Sequence, residues 1–300
     1  MDRRKFITNT ALATAGLAAS SKVLADTFDA KINDFGFQSY TVRDVIYKDM
    51  PGTLKKLKRA GYDYFEGFDF GNGKLLGKPV AEAKKIIEKS KLDLKSIHVL
   101  TGAAAPDLKG SMMNEWQMAI DQAAELGASY IVCAYLMDFE RKSIDQYKEL
   151  AELFNKCGEV AKKSGIQLCY HNHEFEFEEL DGQIPMDIIL SETDSNNLKL
   201  ELDIYWARYA GVDVINFFTK NLKRIPLWHV KDLSLKKLPG TEEVKPMTEV
   251  GNGIIDWRQV FVNRSNSGMQ YFFVEQDRNF AEDSVSSLIT SIKYLKKLSV

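Results

Sequence analysis

The sequence predicts a single closed (β/α)8 barrel, also called a TIM barrel, and three observations support this prediction. From Asp34 onward, eight short apolar runs alternate with longer amphipathic segments. This alternation fills about 265 residues, close to the roughly 250 that such a barrel usually needs. No GxGxxG fingerprint follows the first run, where an open doubly wound sheet would place one. Because no Pro- or Ser-rich linker interrupts the pattern, we expect residues 26–300 to form one catalytic domain.

The eight predicted strands are short apolar runs that are typical of buried parallel strands. In chain order they are FGFQSY (35–40), YDYFEGF (62–68), LKSIHVL (94–100), ASYIVCAY (128–135), IQLCYHNH (166–173), LKLELD (198–203), PLWHVK (226–231) and YFFVEQ (271–276).

Helical patterns lie between these runs, with apolar residues spaced by three and four. They include MPGTLKKLKRAG, PVAEAKKIIEKSK, NEWQMAIDQAAELG, SIDQYKELAELFNKCGEVAKKSG and SVSSLITSIKYLKKL. The first, third and fourth of these end in glycine, which is typical of a helix C-terminus. The longest irregular stretch, residues 234–253, follows the seventh strand and is expected on the active-site face of the barrel.

Residues 1–25 are predicted to be a cleaved export signal. A basic start is followed by an apolar stretch from Thr10 to Ala19 and by the small-residue ending Val23-Leu24-Ala25. The Arg3-Arg4 pair resembles the twin-arginine type of signal, which directs folded proteins out of the bacterial cytoplasm. We therefore expect a periplasmic or otherwise exported protein. The apolar stretch is too short to span a bilayer, so stable membrane insertion is not expected.

The composition excludes several classes of protein. Hydrophobic residues make up 45% of the chain and charged residues 27%, which is typical of a folded globular domain. The formal net charge is only -2, so nucleic acid is not an expected partner. We expect a small-molecule carbohydrate partner instead, and the sequence leaves open whether the chain forms a homo-oligomer.

Candidate catalytic residues stand at the strand ends, where barrel enzymes place their active sites. Imidazoles and carboxylates both occur there, and together they are preferred ligands of divalent Mn, Zn or Co. The histidines and acids in these positions are Glu66, His98, His171, His173, Asp203, His229 and Glu275.

Side-chain alternation orders these candidates by depth, because residues two apart on a strand share a face. Asp203 is the last inward residue of its strand, which favours it as a metal ligand. Glu201 lies two residues deeper and is expected to be a buried, paired carboxylate. His171 and His173 share one face, so His173 could replace His171 as the fourth ligand if the register slips by two.

A resemblance to a known family becomes apparent at these positions. The strings GFQSYTVRD, CYHNHEFEF, LELDIYWARYAG, LWHVKDL, EVGNGIIDW and FFVEQD resemble, in this order, the sugar phosphate isomerase/epimerase family of xylose isomerase-like barrels, and most closely an exported branch of it. The resemblance implies one divalent metal ion (Mn, Zn, Co or Mg, with Mn or Zn favoured) held by Asp203, His229 and Glu275. Strand five departs from the pattern, since His171 stands where the family has an acid.

The resemblance implies a metal-dependent isomerase or epimerase. It would remove a proton next to a carbonyl in a sugar, keto-sugar or polyol derivative, with Glu275 and His171 as catalytic acid and base. The histidine in place of an acid keeps a second class open: a lyase, a dehydratase or an enzyme that cleaves keto-glycosides. Two remoter alternatives are an abasic-site endonuclease, which would need a richer metal set and a basic face, and a sugar-binding barrel without catalysis.

Substrate contacts are predicted among the remaining polar and aromatic residues at the strand ends. For several of them a structural role is an equal alternative: Glu66 as a salt-bridged residue inside the barrel, Lys231 as the partner of a nearby acid, and the aromatic rings as packing. Gly251 and Gly253 are expected to permit the turn that presents Asp256 and Trp257. The candidate substrate contacts are Tyr40, Glu66, His98, His173, Trp206 and Lys231.

The export signal generates a direct prediction. Fractionation of the native host should recover a mature chain that starts near Asp26 outside the cytoplasm, because the twin-arginine motif is read before cleavage. N-terminal sequencing of the recovered protein checks the cleavage point. Full-length protein that keeps Met1 or Asp2 and stays in the cytosol would contradict the prediction.

Overall fold

The computed structural model describes residues 32–236 and 245–300, and within them eight parallel strands form a closed barrel. Each strand pairs with its neighbours in chain order, and β1 also pairs with β8, where Gly36 lies opposite Phe273. The predicted barrel is therefore confirmed. Each predicted run coincides with a strand, and only β3 begins one residue before its run: Gly36–Gln38 (β1), Tyr64–Gly67 (β2), Asp93–Val99 (β3), Tyr130–Cys133 (β4), Gln167–His171 (β5), Leu198–Asp203 (β6), Leu227–Val230 (β7) and Tyr271–Val274 (β8).

The five predicted helical patterns each form a helix: Met50–Ala60, Val80–Ser90, Trp116–Glu125, Ile144–Lys163 and Ser284–Leu295. The predicted glycine ends are also confirmed, since Gly61, Gly127 and Gly165 all adopt positive φ just after a helix. Shorter helical segments complete the connections: Ser39–Val42, Arg43–Ile46, Asp138–Glu140, Glu174–Phe177, Pro185–Glu192, Ile204–Tyr209, Val214–Lys220, Trp257–Val262 and Arg264–Ser267.

The barrel interior changes from apolar to charged along its axis. A buried apolar cluster inside the barrel contains one residue from each of five strands: Tyr64, Val132, Cys169, Leu227 and Phe273. In four of these five strands, the residue two positions further along lies on the same face and is polar. These residues are Glu66, His171, His229 and Glu275. Because strands alternate with a period of two, these polar side chains form a layer directly above the apolar cluster.

Two small sheets extend the rim of the barrel. After β2, the segments Phe70–Gly71, Lys74–Leu75 and Lys78–Pro79 form a three-stranded antiparallel sheet that the sequence pattern did not predict. After β7, Asp232–Leu233 pairs with Met247–Thr248, and the second of these segments lies inside the stretch 234–253 that was expected to be irregular. None of the helices in the described ranges is both long and apolar enough to cross a bilayer. The export signal predicted for residues 1–25 lies outside the described residues.

Asp232 organises the connection after β7. Its buried carboxylate accepts hydrogen bonds from the backbone N–H groups of Leu233 (2.8 Å) and Gly251 (2.8 Å) and from the Trp257 indole (2.9 Å). A Cβ on Gly253 would lie 2.1 Å from Asp232 Oδ1, so this glycine is required by a close approach. The turn expected at Gly251 and Gly253 is present, and the nearby Asp232 carboxylate explains why position 253 needs glycine.

Replacing this carboxylate should destabilise the fold. Asp232→Ala leaves several buried N–H groups without an acceptor, so we expect a loss of roughly 2 to 4 kcal/mol in the free energy of unfolding. Chemical denaturation measures it. The control is Asp256→Ala, which removes an exposed cap from Trp257–Val262 and should cost about 1 kcal/mol. Equal losses in the two variants would contradict the proposed importance of Asp232.

Candidate metal centre and active site

The four side chains predicted as metal ligands meet at the mouth of the barrel. His171 ends β5, Asp203 ends β6, His229 lies in β7, and Glu275 follows β8. One nitrogen or oxygen atom from each lies within 4.8 Å of those of the other three, and all four residues are buried. The structure thus brings the whole predicted set together, and we define these four residues as the mouth cluster.

Two imidazole nitrogens and two carboxylate oxygens face one another in the mouth cluster. His229 Nδ1 lies 2.6 Å from Glu275 Oε2 and 3.1 Å from His171 Nε2, and His171 Nε2 lies 3.3 Å from Asp203 Oδ2. Asp203 Oδ1 accepts the Trp206 backbone N–H, whereas the buried Oδ2 faces the cluster, with His171 Nε2 and the Lys231 ammonium as its neighbours. This donor set fits a divalent ion of the zinc or manganese type.

Lys231 supplies a positive charge to the same carboxylates. Its buried ammonium lies 2.7 Å from Glu275 Oε2, 3.0 Å from Asp203 Oδ2 and 3.1 Å from Asp277 Oδ2. Burial alone would raise the pKa of Glu275, but Lys231 and then His229 outweigh it and hold this pKa well below its ordinary value. Lys231 therefore pairs with acids, as one of the two sequence interpretations expected, and also faces the cavity.

A second layer of charged residues lies beneath the mouth cluster and contacts the far side of His229. His229 Nε2 lies 2.7 Å from Glu66 Oε1 and 3.2 Å from Glu201 Oε2. His98 Nε2 lies 2.8 and 2.9 Å from the same two oxygens. Burial would lower the pKa of His229, but Glu201 and Glu275 outweigh it and raise this pKa well above its ordinary value. A carboxylate behind an imidazole holds a proton on that side, so with a metal ion bound Nδ1 would be the ligand atom of His229 and Nε2 would keep its proton toward Glu66.

Within this layer the charges compensate one another. Burial would lower the pKa of His98, but Glu66 and Glu201 outweigh it and raise this pKa to about 9. Gln38 at the end of β1 adds a hydrogen bond of 2.6 Å to Glu66 Oε1. Glu201 is the buried, paired carboxylate that strand alternation predicted.

Glu66 lies deeper than a substrate contact would. It is fully buried and does not line the cavity; its contacts are those of the salt-bridged barrel residue that the sequence left as the alternative. His98 borders both the charged layer and the cavity. In the pairing of β2 with β3, Glu66 lies opposite Ser96, so His98 stands two residues further along its strand and closer to the mouth than Glu66.

The cavity above the mouth cluster has a volume of about 860 Å³. His173 faces it rather than joining the four ligands, and its ring packs against those of Tyr135, Phe175 and Trp206. His171, and not His173, is therefore the strand-five histidine of the cluster. The predicted substrate contacts that line the cavity are Tyr40, His98, His173, Trp206 and Lys231.

Several polar residues of the site were missed in the sequence. Asn172 accepts the backbone N–H of Asp203 (2.9 Å) through Oδ1 and so fixes the end of β6. Gln38 is the last residue of β1, so the strand-end rule that selected Glu66 could have found it. Asp277 follows Glu275 by two residues on the same face, which was a usable signal for its contact with Lys231. Asn172 points away from the histidines of its strand and gave no such signal.

Comparison with known proteins identifies the family of this chain. A profile of the xylose isomerase-like TIM barrel family matches residues 54–298, which is most of the chain. The chain belongs to the xylose isomerase-like TIM barrel family. The resemblance found in the sequence motifs is thereby confirmed at the level of the family.

Individual members of this family share parts of the sequence and most of the fold. An inosose dehydratase from Clostridium perfringens (strain 13 / Type A) is 30% identical over 168 residues, which are 51% of this chain and 55% of that protein. The match thus spans about half of either protein.

Two crystal structures superpose over nearly the whole barrel. A sugar phosphate isomerase/epimerase from Parabacteroides distasonis ATCC 8503 gives a TM-score of 0.76 at 24% identity, covering 89% of this chain and 98% of that chain. The IOLI protein with a bound zinc atom gives a TM-score of 0.67 at 14% identity, covering 89% and 99%. At these identities the superpositions show a common fold.

The mouth cluster should determine the metal content of the protein. After metal loading and dialysis, Asp203→Asn and His229→Ala should lose stoichiometric metal, because each removes one of four ligands. Glu66→Gln should keep the ligands but bind metal about 10- to 100-fold more weakly, because it removes the carboxylate behind His229.

Elemental analysis and competition with a chelator measure both effects, and circular dichroism checks the fold. The matched control is Asp277→Asn, which changes an acid at the same mouth that lies outside the cluster and should keep full occupancy. Undiminished metal in both Asp203→Asn and His229→Ala would show that the ligand assignment is wrong.

Proposed function

We propose that this protein is a metal-dependent enzyme that removes a proton from a carbon next to a carbonyl in a sugar, keto-sugar or polyol derivative. The observation that supports this proposal is the mouth cluster, in which potential ligands and potential proton carriers stand together on the floor of a cavity large enough for a sugar. Isomerisation or epimerisation is the outcome that we favour.

The donor set supports a role for a divalent ion. His171, Asp203, His229 and Glu275 would hold it. When bound, such an ion supplies Lewis-acid polarisation of a carbonyl oxygen, which makes the neighbouring C–H more acidic. The zinc in the structurally similar IOLI protein is consistent with this choice.

The chain itself supplies the groups that handle protons. Glu275 is the proposed base, because a carboxylate beside an ammonium stays ionised and can accept a proton from carbon. His171 directs Nε2 into the mouth cluster, so Nδ1 is the atom left to hold a proton; it makes no hydrogen bond within the described residues. Lys231 at the cavity floor can donate hydrogen bonds to a substrate oxygen that becomes negative.

Elimination is the second candidate, and it shares the first step. The resemblance to inosose dehydratase favours it, although the match spans about half of either protein. After removal of the proton, a lyase or dehydratase expels a group from the next carbon, whereas an epimerase or isomerase returns a proton to the substrate. Lys231 and His173 both line the cavity and are the side chains placed to protonate a leaving group. The fate of that neighbouring group separates the two reactions.

The mouth of the barrel does not favour the endonuclease alternative. Four cationic side chains line the cavity (Lys74, Arg141, Lys231 and Arg278), and so do four anionic ones (Asp69, Glu174, Glu275 and Asp277). A site for a DNA backbone needs an excess of positive charge. A small, largely uncharged carbohydrate is the more suitable ligand.

The test of the proposed chemistry is hydrogen exchange at carbon. In deuterated water, the metal-loaded protein should exchange the α-hydrogen of a keto-sugar or inosose substrate. Glu275→Gln should abolish this exchange and lower turnover by about 10²- to 10⁴-fold, because a positioned base typically contributes that much.

The matched control for this test is Glu174→Gln, which changes an acid of the same cavity that lies outside the mouth cluster and should retain exchange. NMR of the products then distinguishes an epimer or isomer from an unsaturated product. Turnover of a substrate without loss of its carbon-bound hydrogen would overturn the proposal and indicate a hydrolase or a hydride shift.

A further inference from the structure

The cavity is larger than one sugar ring requires. A hexose has about as many non-hydrogen atoms as a dozen waters, which at about 30 Å³ each occupy roughly 360 Å³. The cavity volume of about 860 Å³ is more than twice that value. It would therefore hold a second ring of similar size.

The extra volume lies away from the mouth cluster. The four cluster residues come from β5 to β8, whereas a large part of the cavity lining follows β1, β2 and β3 on the other half of the barrel. Most of this part comes from residues 68–79, which connect β2 to the helix Val80–Ser90 and contain the three-stranded rim sheet. Such connections usually have about 2 to 6 residues, so this segment is an addition to the plain barrel.

Aromatic rings form the wall of this second region, and we define the aromatic wall as Tyr40, Tyr47 and Phe68. Both tyrosine rings contact Phe68 edge-on: the ring centroid of Phe68 lies 5.1 Å from that of Tyr40 and 5.9 Å from that of Tyr47. Tyr40 is 38% exposed and Tyr47 46% exposed, although both line the cavity. Partly exposed rings of this kind offer the apolar faces on which a sugar ring packs.

The aromatic wall is held in place by specific contacts. The Tyr47 hydroxyl donates a 2.7 Å hydrogen bond to Asp69 Oδ2, and the Arg43 guanidinium lies 4.1 Å from the Tyr40 ring centroid. A ring that is fixed before a ligand arrives loses little conformational entropy on binding. The wall is therefore suited to recognition rather than to loose surface packing.

The rim sheet behind the wall is built from two tight hairpins. Asn72–Gly73 and Leu76–Gly77 are the two-residue turns between its strands, and all four residues have the positive φ that such turns require. The Leu75 and Leu76 side chains are fully buried and anchor the sheet. The wall therefore stands beside a regular element rather than an irregular loop.

The charge of this region favours a neutral ligand. The part of the lining contributed by residues 68–79 includes one acid, Asp69, and one base, Lys74. Over the whole cavity four acids stand against four Lys and Arg side chains, and His98, whose pKa is raised, is paired with Glu66 and Glu201. A phosphate group would need an excess of donors and positive charge, so the second region does not resemble a phosphate site.

We propose that the substrate is a neutral sugar with a second ring, that is, a disaccharide or a glycoside rather than a monosaccharide or a sugar phosphate. Its reacting ring lies at the mouth cluster, and its second ring packs against the aromatic wall. The proposal rests on the proposed function only for the position of the reacting ring.

Binding of unreactive probes tests this proposal without turnover. Methyl glucoside provides one ring, and methyl cellobioside and methyl maltoside provide two rings in two linkages; none of the three has a carbonyl to react. Calorimetric titration of the metal-loaded protein should show at least one two-ring probe binding about tenfold or more tightly than methyl glucoside. Glucose 6-phosphate should bind no more tightly than methyl glucoside.

Wall variants locate the second ring. Tyr40→Ala and Tyr47→Ala should each weaken the preferred two-ring probe by roughly 3- to 10-fold, the loss expected for one aromatic contact, and should leave methyl glucoside within about twofold. The matched control is Phe139→Ala, which removes a ring that is 47% exposed but lies outside the cavity and should change neither probe.

Three results would overturn the proposal: equal affinity for one and two rings in the unsubstituted protein, tighter binding of glucose 6-phosphate than of either two-ring probe, or equal weakening of one-ring and two-ring probes by the wall variants. The first two comparisons need no variant, so misfolding of a variant cannot hide them. Because no reaction is measured, failure here is distinct from failure of the exchange experiment on Glu275.

Discussion

The rest of the site depends on His229, whose two ring nitrogens contact different groups on opposite sides of the imidazole. One nitrogen, Nε2, faces the buried carboxylates of Glu66 and Glu201, and the other, Nδ1, faces the mouth cluster. An imidazole can present a lone pair on one side only if the other side carries the proton. The lower carboxylates therefore decide which atom of His229 is available to a ligand at the mouth.

With carboxylates on both sides of His229, negative charge has to be compensated at two levels inside the barrel. In the lower layer, His98 compensates Glu66 and Glu201. In the upper layer, Lys231 compensates Asp203 and Glu275. Unpaired charges in such a closed interior would be very costly. The apolar cluster beneath both layers closes the barrel to water from below, so access is from the mouth.

Most of the fold could be predicted from the sequence, because it follows from a regular period. The strand-end rule selects seven candidates that include the four residues of the mouth cluster, and it was the resemblance to the family that implied Asp203, His229 and Glu275 as ligands among them. The depth of Glu66 could not be predicted in this way, because it depends on which residues of neighbouring strands lie opposite one another, and the period of a single strand does not record that register. The rim sheet was equally hidden, since its strands have two residues each and show no periodicity.

Lys231 has a consequence for the order of assembly. Acidic side chains that converge without a cation repel one another, and many metal sites therefore form only when the metal arrives. Here the chain brings its own cation to within 3.0 Å of Asp203 and Glu275. These two carboxylates therefore have a cation beside them whether or not a metal ion is bound, so the repulsion that would tie the shape of the site to metal supply is reduced before any ion arrives.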